Sequence, residues 1–553
     1  MSVDEFKAPL GSRVKPADSE QAAQQWAQWR SSRRRFLGQA GAAAGALALT
    51  GSAFAARPLA TAAAGQDGPV MGGSVSMSLA DDDVSSFDPI VPFDNMSIWT
   101  MLLIYDQLIR VGPDGLSLEP GLAESWDISE DGLTYTFHIR ETNFHDGTPA
   151  TAHDAEFALK RVFDPETSGW SSLFAAIDKV EATDDRTLVI ALNQQWVPFE
   201  ADLALFGASI FPKAAFEAQG DDLWEHPIGT GPFMFDSWDK GSQLVIKKYP
   251  EYWDEGKPYL DEVVFKVLTD SNARLLQLQG GELDIATDVP FNQIEPLSAN
   301  PDFTLVPDAV AKIVYMGINL KRELLQDKNL RQAMNYAIDK DLIVTNILFG
   351  AGVPATTYLP LMLGHDPQAV GYPYDLEKAQ ALVADSSGKD GFTVSILTGV
   401  GDAVGSQVAQ LVAASLQQIG GTVNIEQVEP GISTERVTVT QDFDLSLSYY
   451  TTDIIDPDQL TNFAVYSDSG YDAVWTSYKN EEVDGWIRAA QTELDVEKRM
   501  ELYRQIQAQH LEDAPFIFLY YPSGRTGTKA AIQNFHILPT GNYRLQEVWR
   551  SDQ

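Results

Sequence analysis

Alternating apolar and polar residues predict half-buried β-strands along much of the chain. Between Leu133 and Ile139 every second residue is apolar, so one face of this strand would lie in a core. The Asp131-Gly132 pair just before it suits a tight turn, because glycine adopts positive φ without strain, and it predicts a hairpin with 126–128. Short apolar runs predict further strands at 74–79, 243–248, 262–268, 392–397, 445–450 and 514–521.

Apolar residues spaced by three and four positions predict helices between these strands. The clearest amphipathic pattern spans 329–348 and predicts one continuous helix. Thr151 is a suitable N-cap for a helix that runs through Lys160. Other patterns predict helices at 97–109, 273–279 and 406–419. Strands alternate with helices, without any internal repeat, which predicts an α/β fold.

The composition fits a large exported protein with several domains. A chain of 553 residues is long enough for about two to four domains, and 44% hydrophobic residues supply large cores. The formal net charge of −39 would repel nucleic acids and anionic lipids, so nucleic-acid binding is excluded as a function. We interpret the acidic surface as a solvated one, with an electrostatic trap for a cationic ligand as the alternative.

The N-terminal region is similar to a twin-arginine export signal. Residues 32–37, Ser-Arg-Arg-Arg-Phe-Leu, fit the pattern S-R-R-x-F-L, and the weakly apolar run at 40–49 is too short to span a bilayer permanently. An A-x-A cleavage site follows at 53–55, with 62–64 as a second choice. The chain has no cysteine to carry a lipid or to form a disulfide. These features predict a soluble periplasmic protein that is exported already folded, with residues 1–55 as its signal.

Motifs of known catalytic chemistry are absent from the sequence. It contains no H-E-x-x-H, G-x-S-x-G, Walker A or C-x-x-C pattern, and its seven histidines show no metal-ligand spacing. Asp81-Asp82-Asp83 could offer oxygen ligands to a divalent cation, but one short run rarely supplies six ligands, so a solvated loop is preferred. The sequence therefore predicts no catalysis, no cofactor and no metal site.

Several separate motifs resemble one protein family. The segment 123–161, AESWDISEDGLTYTFHIRETNFHDGTPATAHDAEFALKR, resembles a signature stretch of the family 5 (peptide/nickel/oligopeptide) solute-binding proteins of bacterial ABC importers. The sequences GTGPF at 229–233, YPEYW at 249–253, GELD at 281–284 and RQAMNYAIDK at 331–340 are similar to further motifs of that family. The resemblance covers nearly all of 74–553.

This resemblance implies a two-lobed, three-domain α/β clamp that closes on its ligand and then docks on an inner-membrane permease. The protein is expected to be a monomer without stable membrane insertion. The expected division is 56–112 for the first segment of lobe I, 113–211 for an extra hairpin-rich subdomain, 212–306 for the second segment of lobe I, 307–510 for lobe II and 511–553 for the C-terminal segment of lobe I.

The strongest candidate for a ligand contact is Asp453. It follows the predicted strand 445–450, and the carboxyl ends of strands in α/β folds face the binding crevice. Dipeptide-binding members of the family carry a similar strand, W/Y-x-x-D and D-P-D, which implies that Asp453 and Thr452 lie at the ligand and that Asp453 holds its α-ammonium group. Asp456-Pro457-Asp458 would then be a structural turn. Tyr449 and Tyr450 must point to opposite faces, so at most one of them lines the pocket directly.

A glycine-rich turn and the loop after the first strand supply the remaining candidates. Gly401 and Asp402 lie in a strand-to-helix turn that can direct free N–H groups at an anion, and Gln407 follows on the helix. The spacing of the glycines and the charge of Asp402 do not fit a dinucleotide fingerprint. This turn either lines the cleft or is an ordinary connection. Phe93 and Asn95 are predicted for the opposing wall.

The sequence departs from the dipeptide-binding pattern in one respect. Those members hold the ligand's carboxylate with an arginine on the helix that corresponds to 406–419, where this chain has no cationic residue. An unpaired buried carboxylate would cost several kcal/mol. Either another cation serves, with Arg436 as a weak candidate, or the ligand is not a zwitterionic dipeptide. The leading prediction is a periplasmic binding protein for an amine-bearing, peptide-like solute; the alternatives are an oligosaccharide, opine-like or other neutral or conjugated solute and, more distantly, an exported enzyme.

Overall fold

A computed structural model describes residues 68–306, 311–471 and 473–552. The predicted export signal at 1–55 and both candidate cleavage sites lie outside these residues. Strands and helices alternate along the described chain and confirm the α/β class.

The strands are short and are distributed along the whole described chain. Their bounds are β1 Ser74–Leu79, β2 Ile109–Val111, β3 Leu118–Pro120, β4 Ala123–Ile128, β5 Thr134–Ile139, β6 Ile177–Asp184, β7 Thr187–Leu192, β8 Phe233–Asp239, β9 Gln243–Lys248, β10 Glu262–Val267, β11 Ile285–Ala286, β12 Phe303–Val306, β13 Ile313–Ile318, β14 Gly352–Pro354, β15 Phe392–Gly399, β16 Gly421–Val428, β17 Leu445–Tyr450, β18 Phe516–Pro522, β19 Thr526–Lys529, β20 Ile532–Gln533 and β21 Trp549–Arg550.

The helices connect these strands. Their bounds are α1 Asn95–Ile104, α2 Ala152–Phe163, α3 Phe199–Asp202, α4 Lys213–Gln219, α5 Ser271–Gly280, α6 Ile294–Ala299, α7 Lys328–Ala337, α8 Lys340–Asn346, α9 Leu376–Ala384, α10 Ala403–Gln417, α11 Pro430–Thr434, α12 Pro457–Ala464, α13 Glu481–Thr492 and α14 Val496–Asp513.

The sheet of the first lobe has the strand order β12-β19-β11-β1-β10-β9-β8. β1 lies at its centre and runs parallel to β10 and β11. Val75, Met77 and Leu79 are fully buried, as expected for a central strand covered by other elements. The first strand of the described chain therefore lies in the middle of this sheet. The loop after β1 leaves the sheet at the carboxyl end of this central strand.

The predicted hairpin 126–139 builds a smaller sheet beside the first lobe, with the strand order β4-β5-β7-β6. Gly132 has a φ of 72° in the turn, which confirms the need for glycine there. Thr151 and Asp154 form a capping box at the start of α2, so the helix predicted from Thr151 is also confirmed. Phe137 and Leu159 join the core of the first lobe, and the subdomain is therefore packed firmly against it.

The second lobe contains a sheet with the strand order β14-β18-β13-β17-β15-β16. β17 is antiparallel to β13 and parallel to β15. β18 pairs with both β13 and β14, so the second lobe extends beyond residue 510, where the sequence placed its end. The apolar pattern of β18 predicts a buried strand but does not say which of two sheets buries it. The chain returns to the first sheet only with β19.

The helix predicted over 329–348 is wrong in its continuity, because the structure has two helices there, α7 and α8. Ile338 is extended, with φ −98° and ψ 116°, and the Asp339 carboxylate accepts a hydrogen bond from the Leu342 N–H. Asp339 is thus the N-cap of a new helix. The helix predicted over 97–109 also differs, since α1 ends at Ile104.

Gly229 and Gly231 let two backbone segments approach each other closely. A Cβ atom on Gly229 would lie 2.1 Å from the Ile104 carbonyl oxygen, and one on Gly231 would lie 2.6 Å from the Ile104 carbonyl carbon. The Gly231 N–H donates to that same oxygen at 2.9 Å. Between them, the Thr230 hydroxyl donates to the Asp106 carboxylate at 3.0 Å. This contact holds the end of α1, and therefore one wall of the candidate site, against the sheet.

We expect Gly229→Ala to lower the free energy of unfolding by about 1–3 kcal/mol, because the added methyl group would overlap backbone rather than a movable side chain. Urea unfolding followed by circular dichroism measures this change. Gly280→Ala is the control, since space around Gly280 is open and alanine favours the helix. An equal loss in both variants would contradict the packing explanation.

Candidate functional site

The two lobes meet where β1 and β17 end. Across this boundary the Tyr449 hydroxyl donates a hydrogen bond to Asp81, and the Thr451 hydroxyl donates to the Asn95 side-chain oxygen at 3.2 Å. The Tyr471 hydroxyl donates to the Gly169 carbonyl oxygen at 2.6 Å. The structure therefore has the lobes in contact around a closed cleft.

Asp453 lies in this boundary and is held by one glutamine. The Gln459 amide donates to the Asp453 carboxylate at 2.6 Å, while the Asp453 N–H donates to the Gln459 side-chain oxygen at 2.7 Å. Burial raises the pKa of Asp453 to about 7, although the hydrogen bond from Gln459 partly opposes this effect. The site thus presents an oriented carboxyl group that a cation would convert to the ionised form.

The Asp456-Pro457-Asp458 turn has a structural role next to Asp453. The Asp456 carboxylate receives two hydrogen bonds from the Arg499 guanidinium, at 2.7 and 2.8 Å, and the two side chains are each about 6% exposed. Asp456 is also the N-cap of α12, where it accepts from the Asp458 N–H at 2.9 Å. Because Gln459 belongs to this helix, the buried ion pair indirectly orients Asp453.

Asp453 lines a small cavity of about 60 Å³ together with residues of the first lobe. In the part of the chain that the structure describes, Asp453 is the only lining residue that comes from the second lobe. The walls mix apolar, amide and charged groups, and the other lining residues are Leu102, Tyr105, Asp106, Gln107, Arg110, Val111, Ala204, Pro232, Tyr252, Leu538, Asn542, Tyr543, Arg544 and Gln546. A ligand in this cavity would touch both lobes.

An aromatic cluster lies beside Asp453. Phe93, predicted for the opposing wall, stacks on Trp170 with ring centroids 4.9 Å apart, and it is 52% exposed. Tyr471 from the second lobe contacts the edges of both rings. Burial and the nearby charge of Asp453 raise the pKa of Tyr471, which shows that this phenol is close to the carboxyl group. The cluster gives the cleft an apolar surface next to its anionic group.

Tyr449 and Tyr450 point to opposite faces, as their positions in a strand require. Tyr450 is buried in the core of the second lobe, where its hydroxyl donates to the Tyr358 carbonyl oxygen at 2.8 Å. Tyr449 instead faces the lobe boundary, and the Lys312 ammonium lies 3.6 Å from the centre of its ring. Of the two tyrosines, the structure therefore places Tyr449 at the cleft.

The glycine-rich turn lies on the same edge of the sheet as Asp453, because β15 and β17 are parallel neighbours. Gly401 has a φ of 87°, and the Asp402 carboxylate caps α10 by accepting from the Gly405 N–H at 2.8 Å. Gln407 is exposed on the first turns of α10. Thr452 is fully buried, and its hydroxyl donates to the Gln459 side-chain oxygen, so it supports Asp453 from within the lobe.

Arg436 is already engaged within the second lobe. Its guanidinium pairs with Glu426 at 2.7 Å and donates to the Asp442 carbonyl oxygen at 2.9 Å. Gln459 and Lys312 were not among the residues predicted from the sequence. Gln459 follows Asp453 by six positions and could have been suspected from the D-P-D turn, whereas Lys312 is brought in only by the pairing of β13 with β17.

No group of three or more His, Cys, Asp or Glu residues in the described part of the chain could hold a metal ion. Asp83 accepts hydrogen bonds from the Trp238 indole and the Gly241 N–H, so part of the acidic run 81–83 serves local structure. Among the described residues, no helix is both long enough and apolar enough to cross a membrane.

Known proteins match most of the chain. Residues 117–472 match the family described as bacterial extracellular solute-binding proteins, family 5 Middle. The glutathione-binding protein GsiB of Pectobacterium atrosepticum is 29% identical over 484 residues, which cover 84% of this chain and 92% of that protein. The periplasmic binding protein DppA from Helicobacter pylori, in complex with the peptide STSA, has a TM-score of 0.81 at 28% identity and covers 87% of this chain and 98% of its own. AgaA from A. tumefacien R10, in complex with agropinic acid, has a TM-score of 0.79 at 26% identity and covers 85% and 96%.

We expect Asp453→Asn to raise the stability of the ligand-free protein more at pH 8 than at pH 5. The pKa of Asp453 is about 7 in the folded protein and near 3.9 in the unfolded chain, so wild type loses stability as the pH rises from about 4 to about 7, whereas the neutral amide does not; the gain at pH 8 should exceed the gain at pH 5 by about 2–3 kcal/mol. Melting temperatures at both pH values test this. Asp456→Asn, which breaks the ion pair with Arg499, should destabilise the folded protein at both pH values. A gain from Asp453→Asn that does not depend on pH would contradict the prediction.

Proposed function

The chain belongs to the bacterial extracellular solute-binding proteins of family 5, and we propose that it delivers an amine-bearing, peptide-like solute to an ABC import permease. The observation that carries this proposal is the position of Asp453, a carboxyl group from the second lobe in a cavity otherwise lined by the first lobe. The names of its relatives support a peptide-like ligand, since GsiB is a glutathione-binding protein and DppA was crystallised with a peptide.

Asp453 suits the capture of an ammonium group. Asp453 is partly buried, and its carboxyl group, with a pKa of about 7, becomes ionised when a cation arrives, because the opposite charge favours the charged form. The resulting pair is a charge-assisted hydrogen bond, which is stronger than a neutral one. Gln459 keeps the carboxylate in place, so little order has to be gained on binding.

Ligand binding drives closure because the ligand contacts both lobes. The open state offers only part of these contacts, so a ligand shifts the equilibrium towards the closed state by the difference in its affinity for the two states. Tyr449–Asp81 and Thr451–Asn95 then form across the boundary. The closed surface is what the permease recognises. The protein acts as a monomer in this scheme and catalyses no reaction.

Lys312 is the cation that we assign to the ligand's carboxylate. It lies directly before β13, next to the cleft-facing Tyr449. Burial alone would raise the pKa of Asp288, but the charges of Arg525, Lys312 and Arg274 lower it to about 2, so Lys312 belongs to a group of three cations around one ionised carboxylate. Asp453 lies four residues beyond Tyr449, so the two charged groups bracket an extended ligand. A peptide longer than a dipeptide fits this arrangement better.

A second candidate is an opine-like conjugate. AgaA, which has a similar fold, was crystallised with agropinic acid. The aromatic cluster of Phe93, Trp170 and Tyr471 could cover either a peptide side chain or a sugar-derived chain. The two candidates differ in one requirement: binding of a peptide needs a free α-amino group next to a peptide bond, and binding of an opine-like conjugate does not.

A matched set of peptides tests the charge assignments. After thermal-shift screening of glutathione, tripeptides, tetrapeptides, opines and oligosaccharides, the best peptide is compared with its N-acetylated and C-amidated forms by calorimetry. In the wild type, each modification should weaken binding by roughly 10–100-fold, the value of a hydrogen bond to a charged group. Asp453→Asn should abolish the effect of acetylation, and Lys312→Gln should abolish the effect of amidation.

Two controls sharpen this comparison. Asp402→Asn and Arg436→Gln remove charges on the same lobe that are engaged in local contacts, and both should leave the ratios between peptide forms unchanged. Peptides that bind with equal affinity in all three forms would overturn the roles of Asp453 and Lys312 while leaving the transport role intact. Binding of opines or oligosaccharides alone would overturn the peptide assignment.

The twin-arginine pattern supports export of the folded protein to the periplasm. Changing Arg33 and Arg34 together to lysine should retain the precursor in the cytoplasm, because the pair is the invariant part of the pattern S-R-R-x-F-L. Cell fractionation and immunoblotting measure the distribution. Arg35→Lys changes the x position and should be exported normally. Export of the double variant would contradict this route.

A further inference from the structure

Two fully buried carboxyl groups face each other across the lobe boundary, away from Asp453. Asp202 ends the short helix α3, whose Phe199 and Ala201 belong to the core of the first lobe. Asp458 lies in the first turn of α12, whose Leu460 belongs to a core of the second lobe. Each carboxyl-bearing residue is 0% exposed. The pair therefore exists only where the two lobes are in contact.

The contacts around the pair bind the lobes to each other. The Val197 N–H of the first lobe donates to the Gln491 carbonyl oxygen of α13 at 2.9 Å. The Trp196 indole donates to one oxygen of Asp202 at 2.9 Å. The Gln491 side-chain amide lies 3.5 Å from one oxygen of Asp458, at the upper limit for a hydrogen bond. Each carboxyl group thus has one supported oxygen.

The other oxygen of each carboxyl group lacks a partner. Among the described residues, Asp202 Oδ1 and Asp458 Oδ1 are buried without a hydrogen bond of good geometry, and so are both polar atoms of Asn462, one turn after Asp458 on α12. Asn462 lies near enough to Asp458 to oppose the rise in the pKa of that carboxyl group, but the two side chains are not aligned as a hydrogen bond. Buried polar atoms in native proteins are nearly always paired, so four such atoms together require an explanation. An ionised carboxylate in this position would carry a large desolvation cost.

The charge balance around the pair points to a proton. The charged groups facing Asp202 from the packed elements are Asp456 at the N-cap of α12, Asp458 of α12 and Arg499 of α14, and Glu200 lies on its own helix. Tyr503 of α14 lies near Asp456 and Asp458. Arg499 is engaged by two hydrogen bonds to Asp456, so its charge is largely balanced. Two further carboxylates would then be buried together without a counter-charge. Protonation removes a charge and supplies the missing donor at the same time.

We propose that Asp202 and Asp458 form a proton-binding site that is completed only when the lobes close, so that closure takes up a proton from solvent. In the open state both carboxyl groups would be hydrated and ionised at neutral pH. On closure one of them holds the proton and donates it towards the other or towards Asn462. This inference concerns the equilibrium between open and closed states and goes beyond the identity of the ligand.

The direction of the pH effect follows from the burial. Burial and the charge of Asp458 raise the pKa of Asp202 well above its usual range, and burial together with the charge of Asp456 raises the pKa of Asp458 to about 7. The open-state value of an aspartate is near 3.9. The closed state therefore binds more protons than the open state between about pH 4 and pH 7, and closure becomes more favourable as the pH falls through this range.

The absence of cysteine from the chain allows a direct test. Ala218→Cys on α4 and Ala384→Cys on α9 place two exposed labelling sites, one in each lobe. Pulsed electron paramagnetic resonance of the spin-labelled, ligand-free protein then gives the distances and populations of the open and closed states from pH 5 to pH 8.5. Asp453 also has a raised pKa in the closed state, so a parallel series in an Asp453→Asn background separates its own pH response from that of the Asp202–Asp458 pair. Because no ligand is present, a failure of the peptide assignment would not affect the result.

The wild-type closed-to-open ratio should rise by roughly tenfold or more between pH 8 and pH 5. Asp202→Asn and Asp458→Asn imitate the protonated form, so each should raise the closed fraction at pH 8 towards the wild-type value at pH 5 and flatten the pH dependence. Asp484→Asn is the control, because Asp484 is also buried in the second lobe but accepts hydrogen bonds from Ser467. Asp484→Asn should keep the wild-type dependence of the closed fraction on pH.

Three results would overturn the proposal. The first is a closed fraction that stays constant from pH 5 to pH 8.5. The second is a closed fraction that depends on pH as in the wild type in both Asp202→Asn and Asp458→Asn, when their melting temperatures show that the variants are folded. The third is closure that responds to added Ca²⁺ or K⁺ but not to pH, since a cation rather than a proton would then occupy the site.

Discussion

The buried ion pair between Asp456 and Arg499 is the constraint on which the candidate site depends. Its charges are almost fully removed from water, so the pair persists only because two hydrogen bonds join it with good geometry. It fixes the start of α12 against α14. Asp453 just before this helix, and Asp458 and Gln459 within it, take their positions from that one contact. The loop at the lobe boundary is thereby anchored to the core beneath it.

This anchored loop holds poorly solvated carboxyl groups at the lobe boundary. The second lobe presents Asp453 to the cavity and Asp458 to Asp202 of α3, and the first lobe covers both carboxyl groups in this structure. Each therefore needs a positive partner or a proton in the closed state. A ligand's ammonium group would satisfy Asp453, whereas Asp458 is paired with another acid. In the mechanism that we propose, closure depends on ligand charge at one point of the boundary and on pH at another.

Local sequence patterns predicted those elements whose stability is itself local. The hairpin β4–β5, the capped start of α2 and the strand β17 occur where period, turn residues and caps placed them. The prediction of one continuous helix over 329–348 was wrong because apolar residues continue along one side through both α7 and α8. The helix is interrupted at Ile338 and Asp339 because Asp339 is the N-cap of a new helix. Apolar periodicity alone does not predict such an interruption. β18 was recognised as a strand, but its place in the second sheet depends on pairing with β13.

The sequence by itself determined the α/β class, most element positions and the family resemblance, and it made Asp453 a candidate, because these follow from short-range periodicity and from motifs of a few adjacent residues. The tertiary structure alone decided that Tyr449 rather than Tyr450 faces the cleft, that Arg436 is already engaged, and that Gln459 and Lys312 accompany the site. It also brought Asp202 to Asp458 across more than 250 residues of chain. Such contacts depend on strand pairing and on the docking of separate cores, and neither leaves a periodic signal in the residues that make them.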